Sequence, residues 1–287
     1  MKTPGVITTV AGLRAEVAKW RREGSGVGLV PTMGALHAGH LSLVTEAGQR
    51  AERVIVSIFV NPAQFAPHED FDSYPRDLVH DLEGLAAQGL TDIVFAPPVS
   101  ELYPGGFATR IEMVGPALGL EEDFRPHFFS GVATIVAKLL IAANPHVAVF
   151  GEKDYQQLLV IRRLVGDLGL DVDIIGAPIM READGLAMSS RNAYLDRRQR
   201  EVAGLLNRIL ADVAARVREG TGISAAEKSG ADALRAAGFD SVDYVAVRDA
   251  NTLAKLDCPA AGMRVLAAAT IGKTRLIDNR AVRDSNL

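Results

Sequence analysis

Residues 31–40 read Pro31-Thr32-Met33-Gly34-Ala35-Leu36-His37-Ala38-Gly39-His40. The apolar residues 27–30 before this run predict a short strand, and the apolar residues after it recur at helical spacing up to position 47. His37 and His40 therefore fall in the first turn of a helix, where unpaired backbone N–H groups and a partial positive charge favour phosphate. The run predicts a nucleotide phosphate site, and its glycines let the backbone come close to that phosphate.

A metal site and a plain helix start are the alternatives for this histidine pair. Two histidines spaced by three residues can share a metal ion, but no third ligand lies nearby in the sequence. Histidines also occur at helix starts as solvated or hydrogen-bonded polar residues. The pair alone leaves these alternatives open, and the motifs elsewhere in the chain favour the phosphate site.

The composition is that of a globular protein without a strong charge bias. Hydrophobic residues make up 48% of the 287 residues, yet no apolar run approaches the roughly 18 residues that a membrane span needs. The 31 basic and 35 acidic residues give a formal net charge of −4, which disfavours nucleic acid as the main partner. Because no secretion signal opens the chain and the single Cys258 cannot form an internal disulfide, we expect a cytoplasmic location and no membrane partner.

Strand-like apolar runs alternate with helix-length segments from residue 27 to about residue 176. The predicted strands are 27–30, 54–60, 93–96, 147–150 and 172–175, with a further strand at 110–114. The predicted helices between them are 40–51, 76–88, 131–143 and 155–168. This alternation predicts a Rossmann-like, doubly wound parallel sheet of the α/β class. Ligands bind at the carboxyl ends of the strands in such sheets, so the loops 31–40, 61–74 and 151–154 are expected to converge.

The pattern changes after Pro178. A long amphipathic helix is predicted over 197–218 and a second one ends near Gly238, followed by strands at 242–247, 265–270 and 274–277. We therefore predict a Rossmann-like nucleotide- and substrate-binding domain over 1–178, and a smaller C-terminal α+β domain over 179–287 that folds over it as a lid.

Polar side chains follow two of the predicted strands. Asn61 and Gln64 supply amides, which bind hydroxyls and carboxylates without adding charge; a mere turn is the alternative. Lys153 and Asp154 stand at another helix start, where a lysine can hold phosphate oxygens and an aspartate can cap the helix or bind a ribose or a metal-bound water. A capped surface helix with a solvated lysine is the alternative there. Gln157 lies three residues after Asp154, on the same side of that helix.

A fourth polar segment is the loop Met188-Ser189-Ser190-Arg191. Its two hydroxyls and one guanidinium suit a polyphosphate leaving group, because fixed donors stabilise negative charge as it builds up. The tripeptide Ser-Ser-Arg occurs by chance in many loops, so this segment indicates a phosphate site only together with the histidine pair.

These four motifs occur together in one known family. The chain closely resembles the pantoate–β-alanine ligases (pantothenate synthetases) of the nucleotidylyltransferase superfamily. The resemblance covers most of the chain and rests on the segments 31–40, 59–65, 74–76, 131–139, 151–158, 184–192 and 243–249.

The resemblance implies a HIGH-type nucleotidylyltransferase fold, with pantoate bound by the first domain, and the ATP-dependent condensation of (R)-pantoate with β-alanine in pantothenate biosynthesis. The pantoate carboxylate would attack the α-phosphate of ATP and expel pyrophosphate, and the β-alanine amine would then convert the pantoyl adenylate into pantothenate and AMP. The resemblance also implies ATP as a substrate, Mg²⁺ as a cofactor and a homodimer whose other partners are small molecules only.

The resemblance also implies roles for individual residues. The implied catalytic residues are His37, His40, Lys153, Ser189 and Arg191. The implied ATP-binding residues are Met33, Gly34, Ala35, Leu36, His37, Ala38, Gly39, His40, Gly151, Glu152, Lys153, Asp154, Met180, Met188, Ser189, Ser190 and Arg191. Gln64, Gln157 and Asn61 are implied to bind pantoate or β-alanine, and Asp81 is the implied metal ligand.

Three positions depart from the family pattern. The family commonly has Arg-Pro-Gly-His-Phe where this chain has residues 125–129 with Phe128 at the usual histidine position, preceded by His127. Met180 stands where a valine is common near the adenine. One carboxylate, Asp81, is present where the family often has two.

Three rival functions are weighed against this one. Another adenylyltransferase of the superfamily would act on a phosphate or a different acid, but a phosphate acceptor calls for more positive charge than Gln64 and Gln157 supply. A catalytically silent nucleotide-binding regulator is disfavoured by the presence of both histidines, Lys153, Ser189 and Arg191. An aminoacyl-tRNA synthetase is disfavoured by the lack of a separate basic domain.

Overall fold

The computed structural model describes residues 3–67 and 69–282, so the last five residues of the predicted second domain lie outside the described part. The strands are β1 (Gly5–Ile7), β2 (Val27–Thr32), β3 (Arg53–Ile58), β4 (Ile93–Phe95), β5 (Val147–Gly151), β6 (Asp173–Ala177), β7 (Ser241–Asp249), β8 (Met263–Ile271) and β9 (Thr274–Ala281). The α-helices are α1 (Val10–Arg22), α2 (Ala38–Gly48), α3 (Leu78–Gln88), α4 (Val99–Leu102), α5 (Glu121–Phe124), α6 (Phe128–Ala143), α7 (Tyr155–Leu168), α8 (Arg197–Ala203), α9 (Leu205–Arg218) and α10 (Ile223–Ala237).

The first six strands form one parallel sheet in the order β1-β4-β3-β2-β5-β6. β2 lies in its middle, where Leu29 pairs with Ile55 of β3 on one side and with Ala148 of β5 on the other. The direction in which the chain adds strands reverses at β2 and β5. A crevice therefore opens outside the carboxyl ends of these two strands.

Helices cover both faces of the parallel sheet. One face packs against α1, α6 and α7 in a hydrophobic core that includes Leu13, Phe129 and Leu158. The other face packs against α2 and α3, with Val44 and Leu85 in the core. Burial on both faces explains why the central strands are continuous apolar runs instead of alternating ones. The predicted doubly wound α/β sheet is confirmed.

A smaller antiparallel sheet follows, in the order β7-β8-β9. α9 and α10 pack on it through a separate core that includes Leu210, Leu234 and Val265. The predicted α+β architecture of this part is confirmed, whereas the boundary between residues 178 and 179 stays a prediction. None of the described helices has the length and hydropathy that crossing a bilayer requires.

Some predicted elements differ from the structure. The predicted helix 197–218 is broken at Gly204, where the glycine leaves room for the side chain of Asp184; a Cβ there would lie 2.9 Å from Asp184 Oδ2. The predicted strand at 110–114 is wrong, because the Ile111 N–H donates to Thr134 Oγ1 of α6 at 3.0 Å instead of to a neighbouring strand. β1 and α1, which precede the predicted alternation, were not predicted.

Candidate active site

A cavity of about 1240 Å³ opens at the carboxyl ends of the parallel strands. The loops after β2, β3 and β5 all line it, and they contribute His37, Asn61 and Lys153 respectively. Residues 188–191 and parts of β8 and β9 line it as well. The predicted convergence of three loops at one edge of the sheet is therefore confirmed.

His37, His40 and Lys153 form what we call the histidine end of the cavity, and hydrogen bonds local in sequence build the histidine pair. His37 is the N-cap of α2: its Nδ1 accepts from the Gly39 N–H at 3.1 Å, and its own N–H donates to His40 Nδ1 at 3.3 Å. The centroids of the two rings lie 4.1 Å apart. This is a capping box in which two imidazoles replace the usual hydroxyl and carboxylate. The prediction that both histidines lie at the start of a helix is confirmed, with His37 as the N-cap and His40 in the first turn.

Both imidazoles are neutral at neutral pH. Burial lowers the pKa of His37 to about 4, and the positive charge of Lys153 adds to this effect. Burial also lowers the pKa of His40 to about 3, with further contributions from His37 and Lys153. Because each Nδ1 accepts a hydrogen bond, the proton of each neutral ring lies on Nε2. The histidine end therefore offers two neutral N–H donors beside one ammonium group.

Asp81 holds the loop that precedes the histidines. Its Oδ1 accepts from the Leu36 N–H at 2.7 Å and its Oδ2 from the Ala35 N–H at 3.1 Å. Gly34 and Ala35 have φ values of 83° and 50°, so the carboxylate stabilises a turn that L-residues rarely adopt. Burial raises the pKa of the Asp81 carboxyl against the effect of these two bonds.

These contacts account for Asp81 without a metal ion. The side chain is 2% exposed and does not line the cavity. Within residues 3–67 and 69–282, no group of three or more His, Cys, Asp and Glu side chains is arranged to hold a metal. The metal role of Asp81 stays a prediction that this geometry does not favour.

Lys153 reaches the cavity from a short 3-10 helix between β5 and α7. Asn279 of β9 fixes this turn, since its Nδ2 donates to the carbonyl oxygens of Glu152 and Lys153, both at 2.9 Å. Lys153 Nζ lies 3.6 Å from Asp154 Oδ1. Asp154 precedes α7 but its side chain makes no capping hydrogen bond, so the capping alternative for it is wrong.

We call a second group of cavity-lining side chains the amide end; it consists of Asn61, Gln64 and Gln157. Asn61 is 1% exposed, and its Nδ2 donates to Gln64 Oε1 and to the Gly131 carbonyl oxygen, each at 3.1 Å. Gln64 Nε2 in turn lies 3.1 Å from Met33 Sδ. Asn61 thus supports Gln64, and the direct substrate contact predicted for Asn61 stays a prediction.

Residues 188–191 contact the first part of the chain across the cavity. Ser190 Oγ donates to the Ala35 carbonyl oxygen at 3.1 Å. Arg191 forms a two-pronged pair with Asp70, Nε to Oδ2 at 3.0 Å and one terminal nitrogen to Oδ1 at 2.8 Å. Although burial opposes the shift, the bonds and charge of Arg191 lower the pKa of Asp70. The loop is therefore held over the turn that carries the histidines.

Most of the predicted ATP-binding residues line the cavity. Met33, His37, Gly39, His40, Gly151, Lys153, Asp154, Met180, Met188, Ser189, Ser190 and Arg191 do so. Gly34, Ala35, Leu36, Ala38 and Glu152 do not belong to its lining. Two of these, Ala35 and Leu36, use their N–H groups on Asp81, and Glu152 pairs with Arg264 at 3.3 Å.

The structure also resolves the departure at residues 125–129. Phe128 lines the cavity and lies beneath the Arg125 guanidinium, 3.9 Å from its carbon to the ring centroid. His127 does not line the cavity. His127 therefore does not present its imidazole to the cavity.

Sequence reasoning missed an ionic network beside the amide end. Arg125 donates to both oxygens of Glu69, at 2.6 and 2.8 Å, and to the Gln64 carbonyl oxygen at 3.1 Å. Glu121, 4% exposed, receives Arg275 of β9 at 2.7 and 2.8 Å and the Tyr244 hydroxyl at 2.7 Å. These partners are far apart in sequence, so no local pattern marked them.

Comparison with known proteins identifies a family whose reaction agrees with this geometry. The family model described as pantoate-beta-alanine ligase matches residues 5–281. The pantothenate synthetase of Mesorhizobium japonicum is 58% identical over 279 residues, which cover 97% of this chain and 98% of that protein. The pantothenate synthetase of Caulobacter vibrioides is 53% identical over 285 residues, which cover 98% of this chain and 100% of that protein.

Solved structures give the same result. The pantothenate synthetase of Thermus thermophilus superposes with a TM-score of 0.91 at 46% identity, covering 98% of this chain and 100% of that one. The pantoate-beta-alanine ligase of Francisella tularensis, solved with beta-gamma ATP and beta-alanine, has a TM-score of 0.82 at 34% identity, covering 97% and 98%. This chain belongs to the pantoate-beta-alanine ligase family.

Proposed function

We propose that this ligase condenses (R)-pantoate with β-alanine through a pantoyl adenylate. In the first step a pantoate carboxylate oxygen bonds to the α-phosphorus of ATP while the bond to the bridging oxygen of pyrophosphate breaks. In the second step the free amine of β-alanine bonds to the pantoyl carbonyl carbon, loses a proton, and AMP leaves. Family membership supports pantoate and β-alanine as substrates, and the relative solved with ATP and β-alanine supports ATP and β-alanine.

One observation carries this proposal: a single cavity joins a donor-rich histidine end to an uncharged amide end. His37 and His40 each supply an Nε2–H, and Lys153 supplies an ammonium group. Fixed donors that meet charge as it develops stabilise a phosphoryl-transfer transition state without reorganisation. The first step brings two anions together, so such donors also reduce the repulsion between carboxylate and triphosphate.

The amide end suits pantoate better than a phosphorylated acceptor. Gln64 and Gln157 present amides, which bind the hydroxyl and carboxylate groups of a small acid without a net charge. Arg125 is the cation nearest to Gln64 in the hydrogen-bond network, and Glu69 neutralises it with two bonds. A phosphate-accepting adenylyltransferase would call for unpaired cations at this position.

Residues 188–191 supply the remaining donors for the triphosphate. Ser189 and Arg191 act on the leaving pyrophosphate, and Ser190 keeps the loop on the Ala35 carbonyl. Asp70 orients the Arg191 guanidinium. Met33, Gly39, Gly151 and Met180, which line the cavity, complete the nucleotide contacts.

Mg²⁺ enters this proposal as part of the MgATP substrate. Mg²⁺ usually binds through one or two carboxylates together with substrate phosphates, instead of in an all-protein cage. Asp154 lines the cavity, and its side chain is 44% exposed, so it can take this part, whereas Asp81 is committed to backbone N–H groups. We also propose a cytoplasmic homodimer; analytical ultracentrifugation would test the dimer.

The function is tested by product analysis with purified protein, MgATP, pantoate and β-alanine, the two acids added separately and together. We expect AMP to form in step with pantothenate only when both acids are present. ATP binding without turnover, or equal turnover with another acid, would contradict the proposal and redirect attention to Phe128.

A further inference from the structure

Tyr103 connects to the amide end although it does not line the cavity. It follows α4, and its hydroxyl donates to Asn61 Oδ1 at 2.8 Å. A tyrosine hydroxyl keeps its proton at neutral pH and can donate, and burial, which raises the pKa of Tyr103 to about 12, only strengthens this. A residue outside the cavity wall therefore contacts the side chain that supports Gln64.

The Asn61 amide has all of its hydrogen-bonding capacity used by the protein. Its oxygen accepts from Tyr103 and from the Ala63 N–H at 3.3 Å, and its two N–H bonds go to Gln64 and Gly131. A primary amide has two donors and two acceptor sites, so Asn61 has none left for a substrate. Turning the amide over would place its nitrogen against two donors.

This arrangement determines which atom Gln64 shows to the cavity. Asn61 Nδ2 can only donate, and it faces Gln64 Oε1 at 3.1 Å, so the oxygen of Gln64 is bound on the protein side. Gln64 Nε2 lies on the other side, near Met33 Sδ at 3.1 Å, a weak acceptor. The amide of Gln64 therefore offers N–H groups toward an acid and not a carbonyl oxygen, which would repel one.

We propose that Tyr103 is a positioning residue that, through Asn61, orients the Gln64 amide with its N–H groups toward the acid substrate. The proposal rests on the proposed function, because it concerns how the same site recognises its acid. One chain of hydrogen bonds leads from outside the cavity to its wall: the Tyr103 hydroxyl donates to Asn61, and Asn61 donates to Gln64.

The competing explanation is that Tyr103 only packs. Its ring lies 5.1 Å from Phe107 and 6.3 Å from Phe59 between centroids, and Lys138 Nζ lies 5.8 Å from it. The ring contacts survive in Tyr103→Phe, which removes only the hydroxyl. Lys138→Met is the matched control, because it removes the cation over these rings and leaves the hydroxyl in place.

The test measures KM for each substrate and kcat in wild type, Tyr103→Phe and Lys138→Met. We expect Tyr103→Phe to raise the KM for pantoate about three- to tenfold, the effect of one lost buried hydrogen bond, with kcat and the KM for ATP nearly unchanged. Lys138→Met is expected to leave kcat and every KM near wild type. A lower Tm with an unchanged pantoate KM, or an equal rise in every KM, would overturn the proposal.

A double-mutant cycle tests whether Tyr103 acts through Gln64. We expect the effect of Tyr103→Phe on pantoate binding, followed by calorimetry, to disappear in a Gln64→Ala background. An undiminished effect there would overturn the proposal. Asn61→Asp keeps both acceptor contacts and loses both donors, so we expect a larger loss than for Tyr103→Phe; a smaller one would contradict the chain of bonds.

Failure of this proposal and failure of the proposed function are distinguishable. If wild type makes no pantothenate, the function fails. If wild type turns over and Tyr103→Phe has an unchanged pantoate KM, the function stands and the role of Tyr103 fails.

Discussion

The two ends of the cavity are held in place by different means. At the histidine end, His37 and His40 are fixed by each other and by Gly39, all within four residues of the chain. At the amide end, Asn61 depends on Tyr103 and Gly131, 42 and 70 residues away, and Arg125 reaches the Gln64 carbonyl across 61 residues. The histidine pair is thus a property of a local motif, whereas Lys153 beside it and the amide end depend on contacts between distant segments of the fold.

Removing an imidazole takes a donor away from the histidine end. We expect His37→Ala or His40→Ala to lower the rate of adenylate formation by roughly two to four orders of magnitude, since each removes a donor to the phosphate. Rapid-quench measurement of the adenylate gives the rate, and circular dichroism checks the fold. The exposed His80 provides the control, and His80→Ala should act like wild type. Near-normal rates in both site variants would refute the chemistry assigned to this end.

A methyl group added at Gly131, which is distant from Gln64 in sequence but close in space, would displace the amide end. A Cβ there would overlap the Ala63 carbonyl group and lie 2.9 Å from the Gln64 nitrogen, and these backbone atoms cannot move without shifting Gln64. We expect Gly131→Ala to lower kcat/KM for pantoate about a hundredfold while ATP affinity stays within about twofold.

Gly84 in α3 is the matched control for that substitution, since nothing lies within 4 Å of a Cβ built there. Gly84→Ala should leave the kinetics unchanged and stabilise the helix by up to about 1 kcal/mol. If Gly131→Ala lost ATP and pantoate affinity equally, the two ends would not be separable in the way described.

Much of the parallel sheet and of the histidine end could be predicted from sequence, because both follow from patterns a few residues long. Alternating apolar runs gave the order of strands and helices, and glycines around two histidines marked the helix start. The role of Asn61, the use of Asp81 on the loop backbone and the network around Glu121 could not be predicted. Each depends on atoms that the fold brings together from distant segments, and β1, with three residues, is too short to show a pattern.

Acid pH should lower the free energy of unfolding of the protein because His37 and His40 are buried in their neutral forms. The pKa values of His37 and His40 lie near 4 and 3 in the folded protein and near 6.5 when unfolded. The unfolded chain therefore binds protons first, and stability falls as pH drops from about 6.5 toward 4, by at most about 1.4 kcal/mol per pH unit for each histidine.

Thermal unfolding of wild type and His40→Asn at pH 7.5, above that window, and at about pH 5.5, within its upper part, measures this effect. We expect the apparent Tm of wild type to fall further with acidification than that of the variant. His80→Asn should retain the wild-type pH dependence. Parallel curves for wild type and His40→Asn would show that the pair is not buried in its neutral form.

The smallest expected effect concerns the ionic support beside the amide end. Arg275→Met leaves the buried Glu121 carboxylate with Tyr244 as its remaining close donor. We expect a loss of about 1–2 kcal/mol in unfolding free energy by urea titration, reduced from the value for fully buried pairs because Arg275 keeps some solvent exposure. Lys228→Met, which breaks an exposed pair with Asp232, should cost less than about 0.5 kcal/mol. Equal losses would mean that Glu121 does not depend on Arg275.

The most direct test of the account is the exchange of radiolabelled pyrophosphate into ATP by the wild-type protein in the absence of β-alanine. If the histidine end transfers adenylate to an acid held at the amide end, exchange depends on pantoate and needs no amine. That is the result we expect, with His40→Ala abolishing exchange and Tyr103→Phe shifting only its pantoate dependence. Exchange that occurs without pantoate, or only when β-alanine is added, would contradict a pantoyl adenylate formed between these two ends.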